Sequence, residues 1–309
     1  MSRRTYSAWA FVCLLLSCAG ASAATTAATA TAEPMRYVRP QAEGVVDRRL
    51  DYYWDLLRAA LDVTRSRYGP YELRSHPVLM NAERAAFMLD ADQGVTVIAR
   101  TTSREREKKH LPIRIPLDKG LTGYRLFLIQ AQTQGRVDNV RTLADLAPFS
   151  IGQGNNWVDV EILRNAGLTV ETGMGYDALF QMLSAGRFDL FSRGVNEIWR
   201  ELEDGKARNP GLVIEKNLLL YYPLPRYFFF ARTPEGEKLA KRVEDGLREL
   251  IRSGAFERRY QAFKTATLAD LNLSGRRVFR IQNPTLSEET PLDDKRLWDN
   301  LTKELKAPR

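Results

Sequence analysis

Apolar positions change period repeatedly along the chain, and each change marks an element. Residues 35–40 read as a first strand. After Asp47, a helix-capping residue type, Leu50, Tyr53, Trp54, Leu57, Leu61 and Thr64 fall on one helical face until Gly69-Pro70 stops it. Residues 71–74 then read as a strand, 81–89 as a helix and 94–100 (GVTVIAR) as a buried strand. The strand pattern continues at 111–116 and 126–129, and the polar, glycine-containing stretch 130–135 interrupts it. Strand, helix, strand, helix, strand in succession predicts an α/β protein with a parallel sheet.

A second unit of the same kind follows. Residues 142–146 read as a short helix, 149–152 as a strand, 156–166 as a helix ended by Gly167, and 168–171 as a strand. The stretch 176–199, YDALFQMLSAGRFDLFSRGVNEIW, holds a whole helix, turn, strand and helix start. Leu179, Phe180 and Leu183 lie at helical spacing, Gly186 ends that helix, and 188–191 form a short strand carrying Asp189. The chain turns at Gly194 into a helix over 197–205; apolar runs at 218–225 and 227–231 come next. Thr233 caps a helix with Pro234 in its first turn, and a shorter helix carries Phe256, Tyr260 and Phe263. Residues 265–309 extend beyond, with an edge strand at 278–281, a turn at Asn283-Pro284 and a weakly amphipathic helix over 295–305.

Composition adds an address. Arg3 and Arg4 precede an apolar run over 8–16 and then small residues ending in Ala21-Ser22-Ala23, the order of a secretory signal peptide cleaved near Ala24. Leu15-Leu16-Ser17-Cys18 resembles a lipoprotein box with Leu16 as a departure, so a lipid-anchored Cys18 is the alternative; Ser2-Arg3-Arg4 fits a twin-arginine start only loosely, and Sec export is expected. Residues 24–34 are an Ala/Thr-rich leader. Both cysteines, Cys13 and Cys18, lie in the signal, which excludes a disulfide scaffold or a cysteine metal site in the exported part. The net charge of +8 is spread through the 309 residues and no nucleic-acid motif accompanies it, so nucleic acid is excluded as a partner. His76 and His110 stand apart, and no metal or cofactor is expected.

Two motifs carry a resemblance. Ala185-Gly186-Arg187-Phe188-Asp189, following a helix, resembles the second-lobe helix and strand of family 3 extracytoplasmic solute-binding proteins, which are similar to the amino-acid receptors of ABC transporters. Thr101-x-Ser103-x-Glu105-Arg106 resembles that family's Thr-x-Thr-x-Glu-Arg. The resemblance implies a type II periplasmic-binding-protein fold: two lobes around a cleft, joined by two hinge crossovers near Gln130 and Pro225. Lobe 1 would be residues 35–129 plus 226–309, with 265–309 a strap on it; lobe 2 would be 130–225.

The same resemblance implies that Arg106, with Ser103, clamps a ligand carboxylate, for which a guanidinium fork is suited; an exposed charged turn is the alternative. Gly152-Gln153-Gly154-Asn155-Asn156-Trp157 joins a strand to a helix start, where free amides suit an anion and the two glycines allow close backbone approach; Trp157 is an aromatic wall or core. Amino-acid receptors resembling this chain carry an ammonium-binding aspartate five positions after the strand acid. Here that position is Gly194, preceded by Arg193, and Glu197 is the one substitute in reach. The sequence therefore predicts a monomeric, periplasmic binding protein for a small anionic or carboxylate-bearing solute, working with an inner-membrane ABC permease. A ligand sensor docking another receptor is one alternative; an enzyme on the same scaffold, resembling cyclohexadienyl dehydratase with Glu197 as its acid or base, is the other.

Overall fold

The computed structural model describes residues 33–41 and 48–306; the expected signal peptide, the leader up to residue 32, Cys18 and the Asp47 cap lie outside them. In chain order the strands are β1 (Met35–Gln41), β2 (Tyr71–Leu79), β3 (Ile98–Thr101), β4 (Leu111–Ile113), β5 (Tyr124–Gln130) and β6 (Ser150–Gly154). They continue with β7 (Thr169–Gly173), β8 (Leu190–Gly194), β9 (Leu212–Ile214), β10 (Leu218–Tyr221), β11 (Arg226–Phe230) and β12 (Arg277–Arg280).

The strands form three sheets. β1 and β2 pair in parallel; β3, β11 and β4 form an antiparallel sheet of three; the largest runs β12-β10-β5-β8-β6-β7, with β9 beside β5. The largest sheet is mixed rather than parallel, because β5 runs antiparallel to β8, β9 and β10 while β6 is parallel to β7 and β8. Two short chain passages, residues 114–123 and 222–225, link the small sheet to the large one, and a long helical passage, 231–276, links β11 to β12. β5 thus belongs with the large sheet, and the first crossover precedes it instead of falling near Gln130.

Alternation explains the apolar strands. In β11 Phe228 and Phe230 enter the cluster with Trp54, Val97, Leu239 and Leu247, while Tyr227 and Phe229 turn to Met88, Leu89 and Ile98 on the other face. β5 does the same: Leu126 and Leu128 meet Leu183 and Phe191, whereas Phe127 and Ile129 meet Ile151 and Leu190. A strand buried on both faces cannot show a polar side, which is why these runs are almost wholly apolar. The halves meet closely enough that the described residues from Pro34 onward form one compact unit.

Helices Asp51–Val63 and Pro234–Arg252 cover the first cluster and cross at Gly246, where an added Cβ would lie 2.1 Å from the Ala60 carbonyl oxygen. Gly246→Ala should therefore force the helices apart and cost about 1–3 kcal/mol, read as a lower urea midpoint with an unchanged slope. An unchanged midpoint would mean that the helices are not in backbone contact.

The C-terminal segment differs from the expected strap on lobe 1. β12 extends the large sheet beside β10, and Arg276 reaches buried Glu215 at 3.5 Å. The chain then crosses to the other side. Arg104 donates its amide to Thr285 O (2.6 Å), Ser287 Oγ donates to Glu107 (2.9 Å), and Asp299 takes Lys264 (2.8 Å) and Tyr260 (2.7 Å). The expected helix over 295–305 breaks into Lys295–Leu297 and Thr302–Leu305, because Leu301 turns into the core with φ +49°.

Candidate functional site

A cavity of about 300 Å³ lies between the small sheet and the large one. Its near wall carries Trp54, Arg100, Thr101 and Arg106; its far wall carries Arg125, Trp157, Asp159, Tyr176, Arg193 and Glu197; Leu224 and Arg226 close it at the second crossover. The structure so brings together Arg106, Asn155, Asn156, Trp157, Arg193 and Glu197.

Arg106 sits on a short helix, Arg104–Lys109, that the sequence pattern did not show. Ser103 caps it by accepting the Arg106 amide at 3.2 Å and borders an outer groove, away from the cavity. The Arg106 guanidinium donates to the Thr101 carbonyl and makes no ion pair with any described residue. Burial, then repulsion from Arg100 and Arg226 against the pull of Glu83, pushes its pKa down to about 9, so it is still a cation at neutral pH.

The loop after β6 is built differently from the expectation. A Cβ on Gly152 would lie 2.2 Å from the Phe188 ring, and one on Gly154 2.6 Å from the Trp157 indole, so both glycines make room for aromatic rings rather than for a ligand. The helix begins at Asp159, three residues past Asn156, and that acid meets Arg125 at 3.1 Å and the Tyr222 hydroxyl at 2.5 Å. Its positive end is thus already faced by a carboxylate. Asn155 and Asn156 are exposed at the rim.

Arg193, 3% exposed, lies against Glu201 (2.6 Å) and Glu197 (2.7 Å), with the Trp157 ring 4.7 Å from its guanidinium carbon. Its charge is met inside the protein by these two carboxylates, unlike the open anion contact expected of it. Burial works to raise the Glu197 pKa, but Arg193, Arg125, Arg226 and Arg49 bring it down to about 2. At Gly194 an added Cβ would lie 2.4 Å from Asn196 Oδ1, so the place of an ammonium-binding aspartate is filled.

Two arginines escaped the sequence reading. Arg125 is buried inside β5, and Arg226 opens β11 with its side chain over the Tyr53 ring at 4.9 Å. The Arg226 Nε is buried without a hydrogen-bond partner among the described residues. A charged residue inside an apolar run at each crossover was the available signal. Among the described residues, every carboxylate lining the cavity is paired with an arginine of the chain: Asp51 with Arg48, Glu83 with Arg100, Asp159 with Arg125, Glu197 with Arg193.

No family model matches the sequence, and no curated protein matches it. Solved structures do. An ancestral arginine-binding protein bound to arginine is 16% identical, with 75% of this chain and 99% of that one covered at a TM-score of 0.53. The substrate-binding protein of an amino-acid ABC transporter is 14% identical (74% and 98% covered, TM-score 0.51). An ancestral amino-acid-binding protein, a precursor of cyclohexadienyl dehydratase, is 13% identical (74% and 95%, TM-score 0.52). At such identity the likeness speaks for architecture alone, and on it the chain has the type II periplasmic-binding-protein fold, two lobes around a cleft with two crossovers.

Proposed function

We propose that this chain binds a small carboxylate-bearing or otherwise anionic solute in the cleft and serves as the periplasmic substrate-binding component of an ABC-type importer. The observation that carries this is an imbalance: Arg106 lacks an ion pair and the Arg226 Nε lacks a partner, while each lining carboxylate is held by an arginine. A buried guanidinium without a counter-ion favours an anion from solution. Among the described residues the buried Asn196 Oδ1 also lacks a partner, but it is a neutral acceptor, and no lining carboxylate is left unpaired for an ammonium group. The cavity volume of about 300 Å³ stands at the small end of ligand pockets, roughly 300–1,000 Å³, which suits a metabolite. The neighbour from an amino-acid ABC transporter supports the kind of partner. No helix among the described residues is long and apolar enough to cross a membrane, and export rests on the reading of the first 23 residues.

The enzyme reading is the weaker one. A general acid or base works best with a pKa near the operating pH, and Glu197, held to about 2 by its arginines, is a poor base and no acid. A thermal-shift screen of the mature protein with monocarboxylates, dicarboxylates, aromatic acids and amino acids tests the proposal, since a ligand at 100 times its Kd adds about 2.7 kcal/mol. Carboxylates lacking an ammonium group should raise the melting point, and arginine and lysine should not. A response to the cationic amino acids alone would overturn it; turnover of prephenate in the same plate would favour the enzyme.

A further inference from the structure

The surroundings of Arg193 are those of a cation receptor. Its guanidinium carbon lies 4.7 Å from the Trp157 ring centre, 5.2 Å from that of Phe191 and 5.7 Å from that of Tyr176. Glu201 accepts from its Nε at 2.6 Å, and Glu197 stands 2.7 Å from Nη2. Three aromatic faces with two carboxylates at the edge are the chemistry by which proteins hold guanidinium and alkylammonium ions. Here the cation belongs to the chain itself, on β8, and it lines the cleft.

Stability is a poor reason for such a group. A buried ion pair is generally no better than well-packed apolar residues of like volume, and β8 is otherwise buried among phenylalanine and leucine side chains.

We infer that Arg193 is a tethered guanidinium filling a cation subsite of the cleft, and that by filling it the residue sets the cleft against cationic solutes. Removing the side chain would uncover Glu201 and three ring faces and leave Glu197 with Arg226 at 3.8 Å, a site for a free guanidinium or alkylammonium group. The inference rests on the cleft being the binding site, and makes Arg193 a specificity-determining residue rather than an anion contact.

The test is rescue of Arg193→Ala by methylguanidinium, with methylurea as its neutral counterpart of similar shape. The variant should melt below the parent, and millimolar methylguanidinium should restore much of the loss while methylurea restores none; the parent should respond to neither. Arginine should bind the variant at least about tenfold more tightly than it binds the parent, about 1.4 kcal/mol. Should the single variant fail to fold, Arg193→Ala/Glu201→Gln removes one uncovered charge and keeps Glu197 with the rings. Should that also fail, refolding of either variant in the two solutes decides, recovery with the cation alone supporting the inference. Equal effects of methylguanidinium and methylurea, or none from either, overturn it. The parent's response to carboxylates reports separately on the binding reading, so either idea can fail while the other stands.

Discussion

Replacing Arg106 with alanine should weaken binding of the carboxylate found in the thermal screen by about tenfold to a hundredfold and leave the unliganded fold intact. The guanidinium sits in the cleft with the Thr101 carbonyl as acceptor and no counter-ion, in surroundings that push its pKa down to about 9. Its charge therefore does little for the empty protein. A bound carboxylate changes that balance, since it supplies the missing negative charge where burial has removed water. One hydrogen bond to a charged group contributes roughly 1.5–3 kcal/mol, and 1.4 kcal/mol is tenfold in affinity. Arg106→Lys should recover only part, because an ammonium offers no planar fork. Calorimetric titration measures both; an unchanged Kd for the alanine variant would mean that the anion lies elsewhere.

Arg125→Met should have the largest effect on stability. Arg125 and Asp159 are both buried, 3.1 Å apart, and the arginine also serves the carbonyls of Thr122 (3.2 Å) and Ser192 (3.1 Å). Removing one partner of a buried pair strands the other charge, at about 3–5 kcal/mol. The Tyr222 hydroxyl still donates to Asp159, which favours the lower part of that range. Arg125→Met/Asp159→Leu should regain much of the loss, since the stranded charge goes with its partner. Urea unfolding reads both, and a single-variant loss below about 1 kcal/mol would show that water reaches the pair.

The fold was legible wherever side-chain period decides it. The buried faces of helices Asp51–Val63 and Pro234–Arg252, and the apolar runs of strands β5 and β11, follow from spacing alone. What period cannot give is a strand's partner: β5 reads as buried on both faces in either lobe, and only pairing with β8 and β10 assigns it to the large sheet. The same limit applies to β12, whose neighbour β10 is more than fifty residues away.

In the site, the local features showed. Arg106 and the gap at Gly194 could be read from the order of residues along one segment. The pairing of Arg193 with Glu201 spans a turn and a helix start, and that of Arg125 with Asp159 joins strands to a helix across 34 positions, so neither reaches the eye from the sequence. Nor does it show that Gly154 yields its space to the ring of Trp157 just beyond it.

The C-terminal segment, bound to the large sheet through β12 and to the opposite side through Arg104, Glu107 and Lys264, bears on rates more than on affinity. A chain laid over both crossovers and fixed at each end opposes rotation about them, which narrows the range of arrangements the two walls sample before any solute arrives. Little affinity is then lost to the fraction of molecules in an incompetent shape. If the cleft takes a solute as proposed, entry and escape both wait for that ligature to loosen, which lengthens the solute's residence and makes release, rather than capture, the step at which the segment has to give way.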